Sequence, residues 1–213
     1  MMYEKEKEEL LAACGEMIKE DLVIISAGNA SIRVSDEHAV ITPSSVPYAK
    51  MTLDDVVVVN MEGDVIEADR NASVETPTHL EIYKQRDDAN AVVHSHSVYA
   101  TALAVLQKPL PPILDEVVPK LGGEIRVTSY AMPGTKDLAK NVVKAMDRRS
   151  AVLIANHGAV TCGNSIRKAL DNAMLLERTC RIYLLALRAG EPIPLPEDVV
   201  EDEEDLWEIM RDF

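Results

Sequence analysis

His94 and His96 close the run Ala-Val-Val-His-Ser-His (91–96), and His157 follows Ala-Val-Leu-Ile-Ala-Asn (151–156). Imidazoles bind transition metals, and each of these sets ends a short apolar, β-like run. Side chains two apart in a strand share a face, so His94 and His96 can address one ion together. His157, at the end of another strand, can supply a third nitrogen. Three protein nitrogens with an open position form a catalytic arrangement for Zn²⁺, whereas a closed four-ligand site is usually structural. An isolated His-x-His more often arises by chance and merely satisfies local hydrogen bonds. That bland reading weakens here because the chain of 213 residues holds five histidines, and three of them end apolar runs.

The elements that must position these side chains are marked by hydrophobic period and by punctuation. Leu10, Leu11, Cys14, Met17 and Ile18 recur at helical spacing and predict a helix over 3–20. The segment 26–31 reads as a loop leading to a hairpin through 32–34 and 39–41. Val56–Val59 is a β-branched strand, turning at 61–64 into Val65-Ile66. Thr76-Pro77 opens a helix to about Arg86, the proline suiting a first helical turn. Strand 91–95 and a helix over 97–106 follow. The proline- and glycine-broken stretch 107–123 reads as loop or short pieces. A short strand at 125–127 comes next, then a helix over 136–147 capped by Pro133-Gly134-Thr135. Strands 151–155 and 159–162 flank His157. A long helix runs from Ile166 through Leu187, and an acidic helix over about 197–213 presents Leu206, Ile209, Met210 and Phe213 on one face. Short strands interleaved with helices, several joined by tight turns, predict one α/β or α+β domain over 1–213 with antiparallel pairings.

Composition bounds the function from outside. With 47% hydrophobic and 27% charged residues the chain has the make-up of a soluble globular protein, and no apolar run reaches the roughly 18 residues of a membrane span. The charged N-terminus does not read as a targeting segment, so a cytoplasmic location is the default expectation. A net charge of −14 argues against nucleic acid and anionic membranes as partners. It leaves room for a small anionic substrate, because backbone N–H groups can hold a phosphate. Cys14, Cys162 and Cys180 lie far apart without a Cys-x-x-Cys and read as packed, reduced thiols.

Glu75 lies just before the Thr76-Pro77 helix. A carboxylate there is ordinarily a first-turn acid favoured by the helix dipole. Beside three histidines it becomes a candidate fourth ligand and proton shuttle. Gly-Asn-Ala-Ser (28–31), Thr-Pro-Ser-Ser (42–45), Ser-Val-Glu-Thr-Pro-Thr-His (73–79), Val-Val-His-Ser-His (92–96), Tyr-Ala-Met-Pro-Gly-Thr (130–135) and Asn-His-Gly (156–158) occur in that order. The series resembles the class II aldolase/adducin family over roughly residues 5–190. The resemblance implies a three-layer αβα fold with a mainly antiparallel central sheet. It also implies a homotetramer with active sites between subunits, and Zn²⁺ or another divalent ion on His94, His96 and His157. Glu75 would ligate the metal in the free enzyme and then shuttle a proton.

The implied reaction is cleavage of a ketose 1-phosphate, of the fuculose or deoxypentulose type, to dihydroxyacetone phosphate and an aldehyde. It runs through a metal-stabilised enediolate. Gly28, Asn29, Ser44, Ser45, Ser73 and Val74 match the family's phosphate-binding positions, although such turns are also plain loop chemistry. Ser45 stands where the family usually has glycine, and Val74 where it usually has a second serine. Aldolases of this family bring a tyrosine from the neighbouring subunit to the aldehyde oxygen. The matching segment here is Leu114-Asp115-Glu116, which leaves Glu116 or Tyr130 as a substitute acid. His38, His79 and Asp115 otherwise read as surface or structural groups, and Glu197–Asp205 as a solvated face whose following apolar helix could cover a neighbour's site. Epimerase, dehydratase, decarboxylase and non-enzymatic adducin-like readings remain alternatives; the Glu at 75 and the intact histidine set favour aldolase.

Overall fold

The structure, a computed structural model, describes residues 1–211. Helix α1 (Glu4–Lys19) leads into β1 (Asn29–Arg33), β2 (His38–Ile41), β3 (Val57–Asn60) and β4 (Val65–Glu67). Then come α2 (Thr76–Gln85), β5 (Ala91–Ser95), α3 (Val98–Leu106), the short α4 (Val118–Leu121) and α5 (Lys136–Met146). The hairpin β6 (Ala151–Ile154) and β7 (Gly158–Gly163) precedes the long α6 (Ile166–Ala189) and α7 (Glu197–Met210). The strands form one sheet in the order β4-β3-β2-β1-β5-β7-β6, and every neighbouring pair is antiparallel.

The two-residue period of the strands sorts the core. Ala30, Ile32, Ala91 and Val93 pack with Leu10, Met17 and Leu170 of α1 and α6. Strand residues on the opposite face, among them Ile41, Val57, Val92 and Val160, pack with Leu80, Ile82, Leu138 and Val142 of α2 and α5. Helices therefore cover both faces of the sheet, which is the three-layer αβα arrangement. A third cluster, including Leu103, Leu121, Leu153 and Cys180, closes the end around α3, α4 and α6. The expected cap before α5 is present: Thr135 Oγ1 accepts from the Leu138 N–H at 3.2 Å.

Three expectations are corrected. Residues 29–31 are strand rather than loop. Asn29 and Ser31 are poor strand formers, but β1 is paired on both sides, Ser31 opposite Ile41 and Asn29 opposite His94, and this pairing outweighs local preference. Residues 125–127 make only isolated bridges, Leu110 with Ile125 and Val127 with Leu153, because this segment runs along the β6 margin without a continuous ladder. In α7 the buried anchor is Trp207, against Gly122 and with its Nε1–H donating to Ser150 Oγ at 3.3 Å. Leu206, Ile209 and Met210 are exposed, since the helix docks on α4 of its own chain through the neighbouring face; Phe213 lies outside the described residues. Arg148 ties α7 down through Glu204 (2.6 Å) and Glu208, so its acidic side is not wholly solvated. No helix among the described residues is long and apolar enough to cross a membrane.

Candidate active site

The centre of the sheet delivers the first two imidazoles. His94 shares the face of Val92, toward α2, and is paired in register with Asn29 of β1. His96 lies just beyond the end of β5, its main-chain N–H donating to Leu22 O at 3.0 Å. Gly28 permits this approach of β1 to β5. It sits at φ 86°, and a Cβ there would stand 2.7 Å from the His94 carbonyl oxygen.

The third imidazole comes from the tight β6–β7 turn. Asn156 adopts a left-handed φ of 57°, and its Oδ1 accepts from Gln107 Nε2 at 2.8 Å. That turn swings His157 back over β5. Gly158 must follow it, because a Cβ there would lie 2.4 Å from Ser95 O and 3.1 Å from the His96 ring. Glu75 occupies the N-cap position of α2, from which its carboxylate reaches all this.

The ligand atoms of Glu75, His94, His96 and His157 all lie within 4.8 Å of one another. The imidazole centroids are 4.8–4.9 Å apart with planes inclined by 70–74°. His94 Nδ1–H donates to Ala159 O at 2.9 Å, which fixes the tautomer and turns Nε2 inward. That Nε2 lies 3.0 Å from Glu75 Oε2 and 2.9 Å from His96 Nε2, while His157 Nε2 is 3.7 Å from Glu75 Oε1. Unshared pairs and a carboxylate facing one another at such distances repel unless positive charge stands among them. A proton or a metal cation is required, and an N₃O donor set at strand ends suits a divalent transition metal.

The electrostatics of the protein alone carry the same message. Burial opposes charge on His94, yet the Glu75 carboxylate and the Ala159 carbonyl overcome it and raise its pKa. Burial likewise pushes Glu75 up, but His94, His157 and the Asn29 amide hold it far below the usual carboxylate range. Burial, then repulsion from His94 and His157, bring His96 down to about 4, and burial and His94 lower His157 as well. Positive charge in the cluster is thus favoured on His94, beside the carboxylate, and disfavoured on His96 and His157. A bound cation takes over the role of that charge. His157 Nδ1 is buried without a hydrogen-bond partner among the described residues.

The serine turns flank Glu75. Ser73 is buried immediately before Val74 and Glu75, and its Oγ accepts from the Glu75 N–H at 3.3 Å. Its own N–H donates to Thr42 O at 3.1 Å, and Ser44 N–H donates to Asn71 O at 2.9 Å, which ties the 42–45 and 71–74 segments together. Ser45 and Val74 point outward as exposed residues. Ser45 has φ 62°, the left-handed region that favours the glycine it replaces. Asn29 is buried, and its side-chain amide donates to Glu75 Oε2 at 2.7 Å. Glu116 is exposed and ion-paired with Arg178, and Tyr130 is exposed beside Met132; neither joins the four donors within this chain. His38 contacts Tyr3 OH at 3.0 Å and takes no part.

One residue read as surface or structural belongs to the site's support. His79 is fully buried, hydrogen-bonded to Asn29 Oδ1 and, through Nδ1, to Ser31 Oγ at 2.6 Å. Burial above all drives its pKa down to about 3, so the ring is neutral. The signal in the sequence was the spacing Glu75, His79, Tyr83, one residue per helical turn on one face.

Comparison with known proteins agrees with this geometry. Residues 8–184 match the family described as Class II Aldolase and Adducin N-terminal domain. The chain is 38% identical over 203 residues to 5-deoxy-D-ribulose 1-phosphate aldolase of Bacillus thuringiensis, covering 95% of each protein. It is 35% identical over 196 residues to L-fuculose phosphate aldolase of Escherichia coli, covering 92% of this chain and 88% of that one. A solved structure of L-fuculose 1-phosphate aldolase superposes with a TM-score of 0.93 at 35% identity, covering 98% of both chains. The three-histidine, one-carboxylate centre therefore sits in the matching scaffold, and the chain belongs to the class II aldolase and adducin family as an aldolase.

Proposed function

We propose that this aldolase cleaves a short ketose 1-phosphate, of the L-fuculose 1-phosphate or 5-deoxyribulose 1-phosphate type, to dihydroxyacetone phosphate and an aldehyde. The observation that carries the reading is the convergence of Glu75, His94, His96 and His157 on one point. His94, His96 and His157 would hold Zn²⁺, with Glu75 as the fourth donor of the free enzyme; another divalent transition metal is the alternative. When bound, such an ion supplies a Lewis acid for the negative charge that develops on substrate oxygen as C3–C4 breaks.

The protein's own residues do the rest. Glu75 would be the group that moves the proton: its ionised carboxylate would take up the proton relayed from the C4 hydroxyl as C3–C4 breaks and return it to C3 of the three-carbon fragment. The buried Asn29 amide holds the carboxylate in range of that carbon. The phosphate would be cradled by the turns at Gly28, Asn29, Ser44, Ser45, Ser73 and Val74, through the serine hydroxyls and main-chain N–H groups such as those of Ser45 and Val74, since the N–H groups of Ser44 and Ser73 already donate to Asn71 O and Thr42 O and the Asn29 side chain serves Glu75. For the proton exchanged at the C4 oxygen we assign Tyr130 over Glu116, whose carboxylate is engaged by Arg178. Tyr130 is 64% exposed and would serve across an interface, in a cytoplasmic homotetramer with intersubunit sites.

A panel of ketose 1-phosphates tests the reading, monitored for dihydroxyacetone phosphate release with and without chelator. Release from at least one, abolished by chelation and restored by Zn²⁺, is expected. No release from any member would overturn it in favour of dehydration, epimerisation or decarboxylation.

A further inference from the structure

Behind Glu75 and Asn29 runs a file of polar side chains whose inner members, His79, Ser31 and Tyr83, enter no step above. It alternates between helix α2 and strand β1: Glu75, Asn29, His79, Ser31, Tyr83. The helix contributes every fourth residue and the strand every second, so the two periods interleave along one seam. Asn29 Nδ2 meets Glu75 Oε2 at 2.7 Å, His79 Nε2 meets Asn29 Oδ1, Ser31 Oγ lies 2.6 Å from His79 Nδ1, and Tyr83 OH lies 2.6 Å from Ser31 Oγ. All five are buried, with Ser31 and His79 wholly so. A fully buried, fully satisfied polar file in an otherwise apolar layer needs a reason, because the same volume filled by apolar side chains would cost nothing in desolvation.

The ionised carboxylate sets the direction of every bond in it. Glu75 can only accept, so the Asn29 amide must present its N–H₂ and keep its carbonyl for His79. His79 must then donate from Nε2, which leaves Nδ1 as an acceptor for the Ser31 hydroxyl. Ser31 in turn accepts from Tyr83. Each of the four hydrogen bonds along the file then has one donor and one acceptor.

From this geometry we propose that His79 is a positioning residue: through Asn29 it holds the Glu75 carboxylate in the orientation that completes the metal donor set of the free enzyme, and tethers it within reach of the carbon it serves when it moves aside. Apolar filling of the same space could not do this, because Asn29 would be free to rotate and present its carbonyl to a carboxylate. The inference rests on the aldolase reading for its kinetic consequence alone; its structural consequence stands without it.

The test joins three measurements on the full chain and on His79→Gln and His79→Ala. In metal-free protein labelled with ¹⁵N-histidine, one ring resonance pattern absent from both variants should report a neutral Nε2–H tautomer; the Nδ1–H tautomer at His79 would overturn the proposal. Zn²⁺ affinity should fall about 10–100-fold in His79→Ala, and His79→Gln, whose amide N–H reaches the position of Nε2, should recover most of it. With L-fuculose 1-phosphate, or the panel member that proves active, His79→Ala should lower kcat by a similar factor with KM unmoved, again with rescue by Gln. Equal losses in both variants, or unchanged values in both, would reduce His79 to core filling. If the wild type cleaves no ketose phosphate, the tautomer and the Zn²⁺ affinities still decide the positioning role, so the two failures are separable.

Discussion

The donor cluster and the serine turns beside it are built in opposite ways. His94 stands on a central strand paired on both sides, His96 and His157 are held by main-chain hydrogen bonds at strand ends, and Glu75 starts a helix. Two glycines mark where a single methyl would break the approach of these elements. The Ser44-Ser45 and Ser73-Val74 turns lie in connecting segments, linked to each other by a few main-chain bonds, with Ser45 and Val74 exposed. Groups that must meet one ion tolerate errors of tenths of an ångström and are placed on regular structure. The serine turns, proposed to receive a small anion, lie in loops where a chain can vary residues without losing its chemistry.

The difference predicts a steep order of mutational effects. The largest falls on the donors. His96→Ala should remove the bound metal and lower kcat/KM by about 10³-fold or more, the several kcal/mol a Lewis acid contributes. The far-ultraviolet spectrum should stay as it is, because His96 lies outside the strand. Metal analysis and steady-state kinetics check this, and full turnover without metal would dissolve the distinction between the two halves. Glu75→Gln comes next. It keeps an oxygen donor and should spare most metal binding, yet slow the reaction by roughly 10²–10⁴-fold through the lost proton transfer. An unchanged rate would show that the proton travels by another group.

Gly158→Ala probes the scaffold instead of the chemistry. Its Cβ would stand 2.4 Å from the Ser95 carbonyl oxygen, a main-chain atom that cannot swing away. Destabilisation of about 1–3 kcal/mol is expected from overpacking, read as a lower urea midpoint, together with weaker metal binding as His157 is displaced. An alanine accepted without loss in either measurement would mean that the turn is softer than its contacts imply.

What the sequence disclosed follows the same division. The histidines and Glu75 were legible because residue type and strand or helix period place them without knowledge of neighbours. The helices α1, α2, α5 and α6 were legible from apolar period and caps, and the antiparallel pairing from short connections. The role of His79 was not legible as such. It depends on which face of α2 meets β1 and on the register that sets Asn29 against His94, and both are tertiary facts. Asn29 and Ser31 read as loop for the same reason, since two flanking strands, not their own propensities, make them β. Trp207 was passed over as anchor of α7 because Leu206, Ile209 and Met210 form an equally apolar stripe. Only the packing on Gly122 and Ser150 tells the two faces apart.

The smallest effect belongs to Ser45, where the two halves can be compared most sharply. Its φ of 62° costs a non-glycine residue roughly 1–2 kcal/mol. Glycine would relieve that strain but add about 0.4–1 kcal/mol of chain entropy to the unfolded state. Ser45→Gly should therefore leave stability unchanged or raise it by up to about 1.6 kcal/mol, seen as a small upward shift in the urea midpoint. The hydroxyl is exposed and lies 3.4 Å from Ser44 Oγ, too far for a strong bond. Its loss should thus move KM for the phosphorylated substrate without changing kcat or metal content. A fall in kcat comparable to that of Glu75→Gln would place Ser45 with the rigid half, and the boundary drawn between donors and cradle would have to move past it.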